Sequence, residues 1–233
     1  MAGKIYGVGV GPGDPELLTI KAARLIKNAG VIGIPAEHKE TCKAYQIAAG
    51  AVEEIREKEV VPFPFLMTRD PERLRESHDR LAEKAAGYLD QGRDLVFLTL
   101  GDPTVYSTYM YLHRRLTAMG YEAEIVSGVT SFCVAAARLS VSLGDGSTPI
   151  PILPGSFPLE EGLSLPGTRV LMKSGKQMGA VKQALVSGAY EALMAENCGM
   201  EGERLIGRAR DIPEDAGYYS LVIVKEKGDP AVE

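Results

Sequence analysis

Residues 4–19 read Lys-Ile-Tyr-Gly-Val-Gly-Val-Gly-Pro-Gly-Asp-Pro-Glu-Leu-Leu-Thr, and this stretch decides the fold. Up to Val10 it alternates and is rich in strand-forming residues, which predicts a first β-strand. The glycines and proline of residues 11–13 then require a tight loop. Residues 14–16, Asp-Pro-Glu, have the order of helix cap, first-turn proline and early acidic residue, so a helix is predicted from there to about residue 28. A strand, a glycine loop and a helix in this order indicate an α/β fold.

Strands and helices continue to alternate along the chain. The almost wholly apolar run of residues 94–100 predicts a central parallel strand that is buried on both faces. Beyond residue 144, glycine and proline cluster and the alternation becomes less regular. We therefore predict two α/β domains, residues 1–127 and residues 128–233. Further strands are predicted at residues 31–34, 122–126, 150–153, 169–173, 190–196, 203–208 and 218–225, and further helices at residues 69–89, 104–119, 131–139 and 177–186.

The composition excludes several classes of protein. The chain has 233 residues, of which 45% are hydrophobic, so it can bury a core and is not intrinsically disordered. Its longest apolar runs are far shorter than the roughly 20 residues of a membrane span. Its start lacks the apolar core of a secretory signal, so a cytoplasmic protein is expected. A formal net charge of −5 disfavours nucleic acid as the main partner.

Cysteine and histidine show no pattern of a metal site. The three cysteines, Cys42, Cys133 and Cys198, are odd in number and not closely paired, so neither disulfides nor CxxC metal sites are expected. Cys133 is expected to be a small core residue. His78 and His113 fall in predicted helices at surface or edge positions. No protein-bound metal is therefore predicted.

The first glycine loop, residues 7–14, lacks the spacing of the common nucleotide-binding motifs. The Rossmann fingerprint G-x-G-x-x-G fails from each starting glycine, and the second predicted strand ends in Ile34-Pro-Ala rather than in an acidic residue. A Walker loop would need a lysine followed by serine or threonine. The loop still lets a ligand approach the backbone at the carboxyl end of a strand, with a plain strand-to-helix turn as the alternative.

Two later segments repeat this arrangement. Gly101-Asp-Pro103 follows the predicted central strand, at the edge where open α/β sheets bind ligands. Asp102 can there serve a polar site, cap the next helix, or do both. Gly128-Val-Thr-Ser131 follows the next strand and brings two hydroxyls to a helix start, where hydroxyls are often caps. Because all three segments follow strands at their carboxyl ends, they are predicted to form one ligand site.

Together with Val170-Leu-Met-Lys173 and Glu196-Asn-Cys-Gly-Met200, these motifs resemble those of the tetrapyrrole methylase family, the S-adenosylmethionine-dependent methyltransferases of corrin and sirohaem biosynthesis. The resemblance covers nearly the whole chain. Ser127 departs from it, because the family usually has a proline before this glycine turn. The resemblance implies two α/β domains with S-adenosylmethionine (SAM) in a cleft between them, S-adenosylhomocysteine (SAH) as the product, and a homodimer.

The resemblance also implies which residues contact the cofactor. They come from the three loops and from the strand ends of the second domain, with the Tyr219-Ser220 strand as a weaker addition. No covalent nucleophile is expected, since SAM carries its own leaving group, and the sequence singles out no general base or other catalytic residue. The implied cofactor contacts are Val10, Pro12, Gly101, Asp102, Val105, Tyr106, Thr130, Ser131, Met172, Asn197 and Cys198.

Residues 101–112, Gly-Asp-Pro-Thr-Val-Tyr-Ser-Thr-Tyr-Met-Tyr-Leu, resemble the branch of the family that methylates C20 of precorrin-2 or of its cobalt-loaded counterpart. This implies a helix that begins here and lies against the macrocycle, with Tyr106 and Ser107 nearest the methyl acceptor. Because the substrate carries several carboxylates, cations are expected at the site. Arg69, Lys173 and Lys176 are the candidates, with Lys173 the predicted substrate contact.

The function implied by the resemblance is C20 methylation of precorrin-2 or cobalt-factor II in cobalamin biosynthesis. Methylation of another tetrapyrrole position (uroporphyrinogen III or a later precorrin), of RNA or of a protein side chain stays open. So does a non-catalytic SAM-binding module. The expected partner is a tetrapyrrole, without nucleic acid or membrane, and the sequence does not decide whether the substrate carries cobalt.

Overall fold

The computed structural model describes residues 1–188 and 190–226. Contacts within the chain group it into two units, the first Met1–Thr130 and the second beginning at Ser131. Each contains helices and a five-stranded sheet, which confirms the predicted α/β class. The predicted domain boundary, between residues 127 and 128, lies in the glycine turn just before Ser131. Across the described residues, no helix combines the length and the apolar character needed to cross a bilayer.

The first unit is built on a parallel sheet. Its strands are β1 (Ile5–Gly9), β2 (Val31–Ile34), β3 (Glu59–Pro62), β4 (Leu95–Thr99) and β5 (Ala123–Val126). They lie in the order β3-β2-β4-β1-β5, and every neighbouring pair is parallel. All 5 residues of β4 are buried, which confirms the prediction of a central strand covered on both faces.

Helices cover both faces of this sheet. They are α1 (Ile20–Asn28), α2 (Lys43–Ala51), α3 (Pro71–Leu89) and α4 (Tyr109–Ala118). Helices α1 and α2 pack on one face through residues such as Ala22 and Ile47. Helices α3 and α4 pack on the other face through residues such as Leu81 and Leu112. Because α1 follows β1 and α4 follows β4, the chain leaves these two neighbouring strands toward opposite faces.

Two helix starts differ from the sequence prediction. The helix predicted after Asp14 is split, because Asp14 caps only a short 3-10 turn and Thr19 caps α1 separately. The helix predicted from residue 104 begins at Tyr109 instead. The reason is Tyr106, whose φ of 48° lies in the left-handed region, where a right-handed helix cannot continue.

The sequence pattern does not indicate α2 or β3. The acidic run before β3 forms a 3-10 helix, Glu53–Glu57, in which only Ile55 is buried. Strand β3 is 4 residues long and buries only Val61. A short edge strand of this kind has too little apolar alternation to be recognised from the sequence.

The second unit is built on a mixed sheet. Its strands are β6 (Ile152–Pro154), β7 (Arg169–Met172), β8 (Tyr190–Glu196), β9 (Arg204–Ile206) and β10 (Ser220–Glu226). The order is β6-β7-β10-β8-β9, with β6 parallel to β7 and the other neighbours antiparallel. Its helices are α5 (Ser131–Arg138), α6 (Leu159–Ser164), which the sequence pattern does not indicate, and α7 (Met178–Ser187). Residues of α6 and α7 pack in one core, and residues of α5 pack in another.

Two residues lie elsewhere than predicted. His78 is not a surface residue but is only 6% exposed, and its ring stacks on that of Tyr111 with 4.3 Å between the centroids. Cys133 is exposed rather than in the core. The reason is that α5 buries Ala135 and Ala136 and turns Cys133 away from them.

Candidate functional site

The glycine-rich loops that follow β1 and β4 meet at the carboxyl ends of these two strands. Strands β1 and β4 are neighbours, and the chain leaves them toward opposite faces. Sheets of this kind bind ligands in the crevice outside the carboxyl ends of such strands. The two loops pair through Gly11 and Gly101. Gly101 N donates to Gly11 O at 2.9 Å, and Gly11 N donates to Gly101 O at 3.3 Å.

The third loop packs against the other two, backbone on backbone. A Cβ atom on Gly9 would lie 2.6 Å from Gly128 N and 2.5 Å from Gly101 O. A Cβ atom on Gly128 would lie 2.2 Å from Gly101 O. No side chain fits into these contacts, so glycine is required for the close approach. The structure thus brings together the three loop segments that the sequence singles out.

Gly11 and Gly101 are needed for a different reason. Their φ angles of 77° and 69° lie in the left-handed region that favours glycine. A Cβ atom on Gly101 would come no closer than 4.0 Å to Val129 O, so it would project into space beside the loops rather than into the protein. The loops at Gly11 and Gly101, together with the Gly128 loop packed against them, are called the glycine cradle below. This cradle lets a ligand approach the backbone, and it fits the cofactor that the resemblance implies.

Asp102 joins the second loop to the third. Its side chain is buried, and Oδ1 accepts hydrogen bonds from Thr104 N at 2.8 Å and Thr104 Oγ1 at 2.6 Å. Oδ2 accepts a hydrogen bond from Gly128 N at 3.0 Å. Both carboxylate oxygens thus have protein partners, and Asp102 supports the shape of the cradle. The local cap can be read from Asp-Pro-Thr, but the bond to Gly128 spans 26 residues and has no sequence signal.

Ser107 ties the end of β4 to the start of α4. Its Oγ lies 2.8 Å from Thr99 Oγ1 and accepts a hydrogen bond from Tyr109 N at 3.2 Å. The hydroxyl of Ser107 is therefore directed toward β4. Tyr106, by contrast, is 45% exposed. Of the two predicted substrate contacts on this segment, Tyr106 presents the more accessible side chain.

The predicted cofactor contacts of the first unit differ in exposure. Val10 is fully buried in the apolar core, and its N donates to Thr99 O at 3.0 Å, so it supports the loop from below. Pro12 is buried as well. Val105 and Thr130 are half-buried and offer accessible surface.

In the second unit, three of the predicted contacts, Met172, Asn197 and Cys198, lie at the end of the sheet where β7 and β8 terminate. Strands β7 and β8 both run antiparallel to β10, which lies between them, so their carboxyl ends share an edge with the start of β10. Met172 ends β7, and Asn197 and Cys198 follow β8. Asn197 N donates to Tyr219 O at 3.2 Å. Ser131, which opens α5, is half-buried.

Backbone strain coincides with the predicted site residues. Lys173 and Asn197 have φ angles of 60° and 49°. Together with Tyr106 they make up three of the four non-glycine residues with positive φ that the described chain contains, Ser140 being the fourth. Such conformations cost of the order of 1–3 kcal/mol and cluster at functional sites. The strain therefore supports the choice of these three residues.

A buried carboxylate organises the edge of the second sheet. Glu196 is 4% exposed, and its Oε1 accepts a hydrogen bond from Gly217 N at 2.6 Å. Its Oε2 accepts a hydrogen bond from Arg204 Nε at 2.5 Å. These bonds link the end of β8 to β9 and to the turn before β10. The sequence does not indicate this role, because no local motif links Glu196 to partners 8 and 21 residues further along the chain.

Cys198 is a poor nucleophile at neutral pH. The residue is buried, and this burial, with the Glu203 carboxylate beside it, raises the pKa of the thiol to about 11. The thiol is therefore protonated, and thiolate is the reactive form. Glu203 accepts a hydrogen bond from Arg138 Nε at 3.1 Å, and mainly this bond lowers the pKa of Glu203.

The three candidate cations for the substrate have different surroundings. Arg69 is exposed in the loop after β3. Lys173 is exposed, with its Nζ 5.9 Å from the centroid of the Tyr218 ring. The side chain of Lys176 lies outside the described part of the structure. Among the residues that the structure describes, no group of three or more His, Cys, Asp or Glu side chains could hold a metal ion.

The chain thus combines two α/β units. The first has a parallel sheet with three glycine loops at one end, and the second has a mixed sheet. These features define the class of the protein as a two-unit α/β protein with a glycine-loop site. The chain matches the model of the family described as Tetrapyrrole (Corrin/Porphyrin) Methylases over residues 4–213. It therefore belongs to this family, which confirms the resemblance of its motifs.

Two curated proteins and one solved structure indicate its place in the family. The chain is 33% identical over 237 residues to the cobalamin biosynthesis protein CobIJ of Mycobacterium tuberculosis, covering 95% of this chain and 46% of CobIJ. It thus spans about half the length of that relative. It is 33% identical over 229 residues to the probable cobalt-precorrin-2 C(20)-methyltransferase of Methanocaldococcus jannaschii, covering 95% of this chain and 96% of the relative. Its fold matches the uroporphyrin-III C-methyltransferase of Thermus thermophilus complexed with SAH, with a TM-score of 0.70, 25% identity and coverage of 96% and 98% of the two chains.

Proposed function

We propose that this chain is a SAM-dependent C-methyltransferase that methylates C20 of precorrin-2 or cobalt-factor II in cobalamin biosynthesis. The observation that carries the proposal is the nearly end-to-end match to the relative named a probable cobalt-precorrin-2 C(20)-methyltransferase. The C20-type segment at residues 101–112 supports the proposed methylation position, and the glycine cradle supports the proposed binding of SAM.

The proposed cofactor is SAM, which supplies the methyl group together with its own leaving group. Support comes from the positive φ angles of Gly11 and Gly101 in the cradle and from the SAH bound to the structural relative. Asp102 and the glycines shape the cradle, while half-buried Val105 and Thr130 offer side-chain surface. The proposed contacts are Val10, Pro12, Gly101, Asp102, Val105, Tyr106, Thr130 and Ser131, with Met172, Asn197 and Cys198 from the second unit.

The protein's part in the reaction is positioning. The methyl acceptor is an electron-rich carbon of the macrocycle, so the chain has to hold it in line with the methyl group and exclude water. Tyr106, Ser107 and Lys173 are the proposed substrate contacts. The bond between Ser107 and Thr99 fixes the start of α4 and thereby holds Tyr106 in place. A misplacement of about 1 Å can cost roughly 100-fold in rate.

The proposal is tested by locating the transferred methyl group. The protein is incubated with SAM labelled at the methyl carbon and with precorrin-2 or cobalt-factor II in parallel, and the product is analysed by NMR. A label at C20 is expected, and the faster of the two reactions identifies the natural substrate. A label at another carbon would assign a different tetrapyrrole methylation. SAH binding without any transfer would favour a non-catalytic SAM-binding module.

We further propose that the protein is cytoplasmic and, as the resemblance implies, a homodimer. Sedimentation equilibrium of the purified chain tests the oligomeric state, with the dimer mass expected at micromolar concentration. A monomer mass that does not change with concentration would contradict the proposed dimer.

A further inference from the structure

A cavity on the first unit lies apart from the glycine loops. It has a volume of about 420 Å³ and is lined by Lys39, Glu40, Tyr45, Gln46, Ala49 and Arg56. Its floor is one face of α2, and its walls are the loop after β2 and the 3-10 turn before β3. None of the contacts proposed above lies in it, so its side chains have no assigned role.

Two cations, Lys39 and Arg56, line this cavity. Lys39 Nζ lies 5.9 Å from the centroid of the Tyr45 ring, and Arg56 Nη2 lies 3.4 Å from the carbonyl of Ala49. Within the described part of the chain, neither cation forms an ion pair. Lys27, on the neighbouring helix, does pair with Glu54 at 2.6 Å. The cavity therefore has cationic groups that remain available to a ligand.

The walls of the cavity are held in place by the chain itself. Gln46 Nε2 donates to the carbonyl of Glu40 at 2.5 Å, which fixes the loop after β2 onto α2. Tyr45 is only 8% exposed, so the floor is rigidly packed. With two cations against the single carboxylate of Glu40, the lining carries an excess of positive charge, although the whole chain has a net charge of −5.

We propose that this cavity is a subsite for a peripheral carboxylate of the tetrapyrrole substrate, which Lys39 and Arg56 bind beside the Tyr45 ring. The inference rests on the proposed function and extends its substrate site to residues of α2 and its flanking loops. An arginine guanidinium binds carboxylates with two parallel hydrogen bonds, and a lysine ammonium adds a point charge. The chemical class of the ligand is therefore a carboxylate, which in the proposed function is carried by the macrocycle.

The position of the loop after β2 agrees with such a subsite. In the sheet, β2 lies next to β4 and two strands from β1. Neighbouring strands are about 4.8 Å apart, so this loop begins roughly 5 Å from the Gly101 loop and roughly 10 Å from the Gly11 loop. A tetrapyrrole with its acid side chains is wider than these spacings. A macrocycle that has its methyl acceptor at the cradle can therefore extend a carboxylate toward Lys39.

The test compares two double variants of the full chain with the same loss of charge. Lys39→Gln/Arg56→Gln neutralises the cavity, and Arg24→Gln/Arg80→Gln neutralises two exposed cations elsewhere on the first unit. The probe is uroporphyrin III, a stable tetrapyrrole octacarboxylate, titrated by fluorescence at several salt concentrations. The cavity variant should bind it about tenfold or more weakly and with a smaller salt dependence, since charge-assisted hydrogen bonds are lost. The control variant should bind it like the unaltered protein, and calorimetry should give equal SAH affinity for all three.

Each other outcome overturns the subsite. Unchanged uroporphyrin affinity in the cavity variant, or an equal loss in both variants, would show that the cavity does not bind the macrocycle. If citrate binding depended on Lys39 and Arg56 while uroporphyrin binding did not, the cavity would be a site for free carboxylates. The single variants Lys39→Gln and Arg56→Gln repeat the measurement if the double variant unfolds. Failure of the proposed function is seen separately, as absence of methyl transfer by the unaltered protein.

Discussion

At the scale of single residues, Gly7 shows how strictly one position of the first strand is determined. A Cβ atom there would lie 2.0 Å from Cε1 of Tyr109, whose ring is fully buried between α4 and the sheet. We expect Gly7→Ala to lower the free energy of unfolding by about 1–3 kcal/mol, because the ring has no space to move into. Urea denaturation measures the effect.

Gly87→Ala is the matched control for this prediction. Gly87 is exposed within α3, and a Cβ atom on it would meet nothing within 4 Å. The same substitution should there raise the stability by about 0.5–1 kcal/mol, since alanine favours a helix. Equal stability changes at both positions would contradict the packing explanation for Gly7.

Asp102 is the residue on which the shape of the cradle depends. Asp102→Ala removes the acceptor of Gly128 N and of Thr104 N, so the second and third loops are no longer linked. We expect the affinity for SAH, measured by calorimetry, to weaken by about 1–3 kcal/mol, the cost of leaving buried donors unpaired. Asp102→Asn keeps one acceptor oxygen and should lose less.

Asp70→Ala separates this effect from the loss of a helix cap. Asp70 accepts hydrogen bonds from Glu72 N and Arg73 N at the start of α3 and is exposed there. This variant should lose stability by about 1 kcal/mol and keep its SAH affinity. If Asp102→Ala also lost stability but bound SAH normally, Asp102 would have no part in the cofactor site.

At the scale of secondary-structure elements, the packing of α3 against α4 carries a pH dependence. The His78 ring stacks on Tyr111, and burial, followed by the nearby Arg115 guanidinium, lowers the pKa of His78 below its usual 6.5. Below pH 6.5 the unfolded chain therefore binds the proton more readily than the folded chain does. Stability should be intact above about pH 6.5 and should fall as the pH decreases toward the pKa of the folded state.

Replacing the titrating ring tests this dependence. His78→Phe retains an aromatic ring against Tyr111 and should reduce the loss of stability between pH 7.5 and pH 5.5, as measured by urea denaturation. His113, whose pKa burial also lowers, remains and leaves a residual slope. An unchanged slope in His78→Phe would assign the acid sensitivity to other groups.

At the scale of the whole molecule, the proposed binding of the cofactor is expected to be linked to folding. A ligand that binds only the folded chain at 100 times its Kd stabilises it by about 2.7 kcal/mol. SAH should therefore raise the free energy of unfolding by about this amount in urea titrations at that concentration. Asp102→Ala, at the same SAH concentration, should gain less. No shift with SAH, at a concentration that calorimetry shows to be saturating, would indicate that the ligand also binds the unfolded chain.

The sequence by itself determined the class of the fold, the family and the positions of the three glycine loops. These features are local: the alternation up to Val10, the apolar run of β4 and the glycines at the strand ends each follow from neighbours in the chain. The motifs also pointed to Tyr106 and Asn197, which both have a strained backbone. A sequence signal suffices where a turn needs a particular residue at a particular position.

Only the tertiary structure decided how these pieces are linked. The bond from Gly128 to Asp102, the bond from Gly217 to Glu196 and the stacking of His78 on Tyr111 all join residues that are far apart in the chain. The late start of α4 likewise depends on the φ of Tyr106, which the helical pattern of the segment conceals. The physical reason is that burial and long-range hydrogen bonds arise from packing between elements, which local propensity does not encode.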